Sequence, residues 1–252
     1  MKNFNRNKES IGITHWLRDY AKNAGSVGYV VGLSGGIDST LVARLAVNAV
    51  GAPNVIGVIM PIHSPVVDEI DAYKVALHLG IKTIYVDLKP TYDTMIKISK
   101  LDLGRLEKAN IKARLRMTAL YAVAGKRNML VAGTGNKSEN MIGYFTKHGD
   151  GAVDVLPIAE YYKWEVKEIA KCFGIPIELV ERTPTAALWE GQTDEDEIGM
   201  SYEVLDKILY YLETGEEYPD IDILHADKVE KVKKMIKDNK HKTEYPPSYR
   251  RK

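Results

Sequence analysis

The run VVGLSGGIDSTLVARLAV, residues 30–47, carries two glycines, two hydroxyls and a carboxylate within residues 34–39, just after an apolar stretch. Gly35 and Gly36 let backbone N–H groups converge on an anion with no Cβ in the way. A helix starting at such a turn adds the positive end of its dipole. Ser34 and Ser39 can donate hydroxyl hydrogen bonds. The chemistry in view is phosphate binding, yet the Lys-Ser or Lys-Thr pair that ends a P-loop is missing. Asp38 repels a phosphate unless a cation lies between them, which makes it a candidate Mg²⁺ ligand. It reads equally well as an N-terminal helix residue that satisfies orphan N–H groups. Spacing alone does not separate the two.

Four further stretches carry candidate chemistry. NIKARLRM (110–117) sets Arg114 and Arg116 two apart, so that on a helix they point in different directions. VAGTGNKSE (131–139) puts Thr134 and Glu139 just after an apolar run. GYFTKHGDGAVDVLPIAEYYK (143–163) gathers Lys147, Asp150, Asp154 and Lys163 around a glycine-rich loop. TPTAALWEGQTDEDEIG (183–199) is strongly acidic. Taken singly, the first of these reads as a solvated basic face and the last as solvated surface.

The elements that must hold these residues alternate. A leading helix is expected over 7–24, with Ile11, Trp16, Leu17 and Tyr20 at helical spacing. Strands are expected at 27–33, 54–60, 81–86 and 128–132. Between them lie helices near 38–50 and 67–79 (stopping at Gly80) and helical stretches after Pro90, the longest about 105–125, and helices follow near 161–173, 201–213 and 224–238. Such alternation implies an α/β fold with a doubly wound, mainly parallel sheet and helices on both faces. Ligands in these sheets bind outside the carboxyl ends of the strands. The glycine turns at 32–36 and 133–135 then share one rim, which argues for one site. Residues 140–157 and 182–197 read as long loops, which in a compact domain are usually functional or disordered. No internal repeat or linker interrupts the chain, so residues 1–252 are expected to form one domain.

Composition narrows the function class. The chain of 252 residues is 45% hydrophobic and 27% charged, with a net charge of +1. That balance gives no reason to expect a nucleic-acid partner. One cysteine, Cys172, excludes an intramolecular disulfide and any Cys-x-x-Cys pair. It sits in the helical stretch IAKCFG and is expected to be structural. No run approaches the roughly 18 apolar residues of a membrane span, and Met1–Ser10 lacks the apolar stretch of a signal peptide. The expected setting is the cytoplasm.

The turn Ser34-Gly35-Gly36-Ile37-Asp38-Ser39 after an apolar strand resembles the SGGxDS loop of the ATP pyrophosphatases. In that superfamily the loop grips the pyrophosphate released when ATP is cut between its α and β phosphates, which explains a phosphate turn without the P-loop lysine. Taken with the other four stretches, in this order, the chain is similar to the NAD synthetases from about residue 10 to the His241-Lys242 pair. The resemblance implies ATP-dependent amidation of deamido-NAD by ammonia through an adenylated carboxylate, giving NAD, AMP and pyrophosphate. It implies that Gly32, Leu33, Ser34, Gly35, Gly36, Ile37, Asp38 and Ser39 hold ATP, with Thr134, Lys163 and Thr185. Asp38 and Glu139 would be Mg²⁺ ligands, and Arg114, Lys147, Asp154, His241 and Lys242 would bind deamido-NAD. Asp150 would serve the ammonia step, and Asp38, Asp150 and Lys163 the chemistry. Loops 61–68 and 182–197 are candidate lids, and a homodimer is expected. His148 and Thr243 depart from the tyrosine and the basic residue common in the family. Glutamine-dependent relatives carry an added nitrilase-like domain. The synthetase motifs here begin by residue 32, so free ammonia is the expected nitrogen source. The competing readings are a tRNA-modifying or other amidating ATP pyrophosphatase, and a nucleotide-binding module without catalysis.

Overall fold

The computed structural model describes residues 4–176, 178, 185, 189, 191–216 and 226–250. Four parallel strands form one sheet in the order β3-β2-β1-β4: β1 Tyr29–Gly32, β2 Val55–Ile59, β3 Lys82–Tyr85 and β4 Leu130–Val131. Tyr29 pairs with Val55 on one side and with Leu130 on the other, and Gly57 pairs with Thr83. A parallel bridge between Ala132 and Val155 continues the β4 edge.

The strands are apolar on both faces because helices cover both. Tyr29, Val31, Val55 and Ile59 point into a core shared with α1 (Arg6–Asn23), α2 (Ile37–Val50), α3 (Val66–Leu79) and α7 (Lys163–Cys172). Val30, Ile56 and Val58, one residue out of phase, point into a second core with α4 (Lys89–Ser99) and α5 (Arg105–Arg127). A third cluster joins α6 (Lys137–Ile142), α8 (Asp194–Ile198), α9 (Tyr202–Thr214) and α10 (Ala226–Thr243) around Ile142, Ile198, Leu205, Leu209 and Val232. This third cluster builds one wall of the site.

Local chemistry explains the element ends. The Asn5 side chain accepts from the N–H groups of Asn7 and Lys8 and starts α1. Gly80 ends α3 in the left-handed conformation, at φ 65°. The doubly wound parallel fold and its helices lie where the residue pattern places them, with two differences. Residues 140–142, expected in a loop, are the last turn of α6, started by a reciprocal cap in which the Asn136 side chain accepts from Glu139 N and the Glu139 carboxylate accepts from Asn136 N. Residues 194–197, also expected in a loop, begin α8, capped by the Thr193 hydroxyl accepting from Asp196 N. Most of loop 182–190 lies outside the described residues, as do the first residues of the helix expected from 224.

Among the described residues no helix is long and apolar enough to cross a membrane. Cys172 is half-buried, donates weakly to the Glu168 carbonyl at 3.6 Å, and has its thiol pushed up by burial, which disfavours the thiolate.

Candidate active site

The strand order reverses between β1 and β4, and a crevice opens at such a switch point beyond the carboxyl ends of the strands. The loop after β1 and the loop after β4 flank it, above a cavity of about 720 Å³. Ala132 N donates to Val30 O at 2.9 Å and Gly133 N to Val155 O at 2.8 Å, which holds the second loop against the first strand and the 152–156 segment. A Cβ on Gly133 would lie 2.7 Å from Val153 Cγ2 and 2.9 Å from Leu156 Cδ2. Gly133→Ala is therefore expected to cost about 1–3 kcal/mol by overpacking, read as a lower urea midpoint. An unchanged midpoint would mean that the 152–156 segment gives way.

The phosphate turn is folded on itself. Gly35 takes the left-handed conformation at φ 76°. Ser34 Oγ and Ser39 Oγ lie 3.1 Å apart, Ser39 Oγ donates to Gly36 O at 3.1 Å, and Gly36 N donates to Ser34 Oγ at 3.2 Å. The two hydroxyls thus shape the loop. Gly36 caps α2 with no side chain, so the helix N-terminus faces the cavity through backbone alone.

Opposite this turn stands a buried charge cluster. Lys163, the first residue of α7, is 2% exposed, and its ammonium lies 2.5 Å from Asp38 Oδ2 and 3.8 Å from Glu139 Oε1. Asn136 Nδ2 donates to Asp38 Oδ1 at 3.2 Å. The Lys163 ammonium also sits 4.9 Å from the centroid of the Tyr202 ring. Tyr202 donates its hydroxyl to Glu139 and to Asp194, each at 3.2 Å. Asp194 also accepts from the Tyr144 hydroxyl at 3.2 Å, and Tyr144 lies 2.5 Å from Glu197 Oε2.

Asp38 and Glu139 therefore flank one ammonium, and the charge of Asp194 acts on it from further off. Burial, then the charge of Asp38, pushes Glu139 up to about 8, against the pull of Lys163 and the Asn136 N–H. Burial alone would lower the Lys163 ammonium, but Asp38 and Glu139 outweigh it and hold the lysine charged. Burial raises Tyr202, with Glu139 and Asp194 adding to it, so its hydroxyl acts as a donor.

The far end of the cavity is basic. Arg114 reaches the Lys147 carbonyl through Nε and Nη2, both at 3.3 Å. Lys147 Nζ donates to the His241 carbonyl at 2.5 Å, and Lys242 Nζ to the carbonyls of Gly143 and Phe145 at 2.7 and 3.0 Å. These contacts bring the tail of α10 against the 143–151 loop. Asp150 opens onto the cavity yet is crowded by protein atoms. That desolvation raises its carboxyl, while the Thr146 N–H, at 2.9 Å, and Arg116 pull it down. Arg116 donates to the carbonyl of Met60 at 3.2 Å and to Ser64 Oγ at 3.3 Å, pinning the loop after β2.

Of the residues singled out above, Gly32, Leu33, Ser34, Gly36, Ile37, Asp38, Ser39, Thr134, Glu139, Lys163 and Thr185 line the cavity with Arg114, Lys147, Asp150, His241 and Lys242. Thr185 Oγ1 donates to Gln192 O at 2.7 Å. Gly35 and Asp154 are not in the lining. Asp154 is exposed, accepts from Val131 N at 2.7 Å and from the Tyr121 hydroxyl at 3.1 Å, and so straps the loop to the sheet edge. Asp194, Tyr202, Tyr144 and Asn136 were not singled out. An acidic run is the only hint for Asp194, and no pattern marks the tyrosines, whereas the Asn136-x-x-Glu139 cap was readable. Among the described residues no group of three or more histidine, cysteine or acidic side chains has the geometry to hold a metal ion. The pair Asp38 and Glu139 suits a hard cation that arrives on phosphate oxygens and keeps several waters, rather than an all-protein cage.

The family model for NAD synthase matches residues 10–246. The NH(3)-dependent NAD(+) synthetase of Archaeoglobus fulgidus is 43% identical over 93% of this chain and 93% of its own. The NMN synthetase structure from Francisella tularensis is similar with a TM-score of 0.90, at 34% identity over 98% of this chain and 99% of that one. The NH3-dependent NAD synthetase from Campylobacter jejuni, in complex with the nitrate ion, follows with a TM-score of 0.85, at 29% identity over 98% and 100%. A glycine turn at the switch point, a lysine–carboxylate centre facing it and a match over nearly the whole chain agree: the chain belongs to the NAD synthase family.

Proposed function

We propose that this chain joins ammonia to the nicotinate carboxyl of deamido-NAD at the expense of ATP. The observation that carries the reading is the placement of one buried ammonium, Lys163, between Asp38 and Glu139 and opposite the glycine turn, in a cavity whose other end is basic. A nicotinate oxygen attacks the α phosphorus and the bond to pyrophosphate breaks. Ammonia then attacks the acyl carbon, AMP leaves, and one proton is released.

Residues 32–39 receive the leaving pyrophosphate through backbone N–H groups and the α2 dipole. Lys163 offsets charge on the phosphoryl oxygens, and Thr134 and Thr185 orient ATP. Arg114, Lys147, His241 and Lys242 bind the dinucleotide, while Asp154 supports it from the sheet edge. Asp150 takes the proton as ammonium is converted to ammonia. Asp38 and Glu139 hold Mg²⁺, which when bound neutralises charge on the phosphates. On this reading residues 1–252 act as one unit, in the cytoplasm and as a homodimer. Exposed Val66, Val67, Ile70, Tyr73 and Leu77 on α3 and Ile11, Trp16 and Tyr20 on α1 offer apolar faces for pairing, which sedimentation tests.

A second reading has a specific observation behind it: the high TM-score to a synthetase of NMN. It keeps the same chemistry on a smaller acid. One experiment tests both. The purified chain is given ATP, Mg²⁺ and ammonium with deamido-NAD or with nicotinic acid mononucleotide, and a parallel set receives glutamine alone. NAD formed in step with AMP and pyrophosphate, from ammonium only, is the expected result. Preference for the mononucleotide would establish the second reading, and AMP without either amide would overturn both.

A further inference from the structure

Glu139 and Lys163 lie on different short helices, α6 and α7, joined by an irregular loop, yet their charges must meet within a few ångströms. What sets that separation lies behind the cavity. Asp206, on α9, is 3% exposed and does not line the cavity. Its Oδ2 accepts from Trp164 N at 3.0 Å, and its Oδ1 accepts from the Ser138 hydroxyl. Ser138, fully buried, accepts in turn from Lys163 N at 3.0 Å. Ser138 therefore spends its proton on Asp206 and its lone pair on Lys163 N. One carboxylate ties the residue before Glu139 to the first two N–H groups of α7, where a negative charge also suits the helix dipole.

A buried carboxylate is costly unless fully hydrogen-bonded. The ties supply those bonds, and they join the two helices that carry the reactive charges. We propose that Asp206 is a positioning residue for the amidation: through Ser138 and the N-terminus of α7 it sets the distance from Lys163 to Asp38 and Glu139. Without it the Ser138–Lys163 N contact and the Lys137 N bond to Tyr161 O, at 2.9 Å, still join the two helices, but Trp164 N loses its acceptor and the Ser138 hydroxyl loses the carboxylate that fixes its direction. Misplacement of a reacting charge by about 1 Å costs on the order of 100-fold in rate. The proposal rests on the functional reading above.

The test compares Asp206→Asn, Asp206→Leu and Val232→Ala, the last removing methyl groups from the same cluster without touching the ties. Asp206→Asn keeps an acceptor for Trp164 N but turns an amide donor toward Ser138. Its kcat is expected to fall roughly 10-fold with KM for ATP within about two-fold, and Asp206→Leu to fall roughly 100-fold. Val232→Ala is expected to lower the urea midpoint while leaving kcat within about two-fold. Wild-type kcat in Asp206→Asn, or an equal loss in Val232→Ala at a matched urea midpoint, overturns the proposal. A crystal structure of Asp206→Asn gives a readout independent of activity, with the Lys163–Asp38 separation expected to lengthen by about 1 Å; an unchanged separation also overturns it. Should the wild type form neither amide, the functional reading fails while the structural arm still decides the placement.

Discussion

Lys163→Met is expected to lower kcat by about 10²–10³-fold and to destabilise the fold by about 3 kcal/mol. The methionine fills most of the lysine's volume, so the loss comes from charge. In the native arrangement a lysine that is 2% exposed stands against Asp38 at 2.5 Å and Glu139 at 3.8 Å, with Asp194 nearby through Tyr202. Removing it leaves Asp38 and Glu139, both partly buried, facing one another without their shared cation, and a buried charge without its partner is worse than no pair at all.

The pH dependence follows from Glu139. Its carboxyl stands at about 8, above the ordinary 4.5, because of burial and Asp38. An acid whose folded value is raised costs stability when ionised. That cost is full above about pH 8 and fades as the pH falls through 8 toward 4.5. Lysine is one of two influences that hold the value down, so without it the cost grows. The stability deficit of Lys163→Met is therefore expected to be widest near pH 8.5 and narrower near pH 5.5, measured as urea midpoints at several pH values. A deficit that stays constant across that range would show that the carboxylates are not repelling one another.

Asp38→Ala is expected to lower kcat/KM for ATP by a similar 10²–10³-fold, yet to destabilise the fold less than Lys163→Met does. The asymmetry comes from the charge count. Losing Asp38 deprives Lys163 of its nearest partner, but Glu139 remains, and one source of the repulsion that raises Glu139 disappears. The double variant Lys163→Met with Asp38→Ala is expected to be more stable than Lys163→Met alone and no more active than either single variant, since groups that act as one unit are not additive. Pyrophosphate release and urea unfolding on the same four proteins separate the two effects. Equal stability losses in the two single variants would sink the charge-count account. Full activity with a normal Mg²⁺ dependence in Asp38→Ala would overturn the proposed role of that residue as a Mg²⁺ ligand.

The alternation of strands and helices, the glycine turn and the shared rim were all legible in the chain, because each rests on local rules. Apolar period and turn chemistry act over a few residues, and the handedness of a crossover follows from the order of the elements without reference to any side-chain partner. Asp38, Glu139 and Lys163 were readable as a set only through the order of the stretches that resemble a family. Residues 140–142 were misplaced in a loop although the Asn136-x-x-Glu139 cap was available to start a helix there.

Tertiary structure alone decided how the charges are shared. Asp194 reads as part of a solvated acidic run, but α8 folds it inward, where two tyrosine hydroxyls bond it. Ser34 and Ser39 read as phosphate donors; the fold sets both on the cavity lining and bonds their hydroxyls to each other and to the loop backbone. Asp154 reads as one more carboxylate of the glycine-rich loop and instead fastens that loop to the sheet edge. Asp206 carries no local signal, since its meaning comes from two N–H groups and a hydroxyl contributed by two other helices. One physical reason covers Asp194, Asp154 and Asp206. A polar side chain's role depends on which partners the fold brings to it, and for each of these at least one partner lies more than about twenty residues away in the chain.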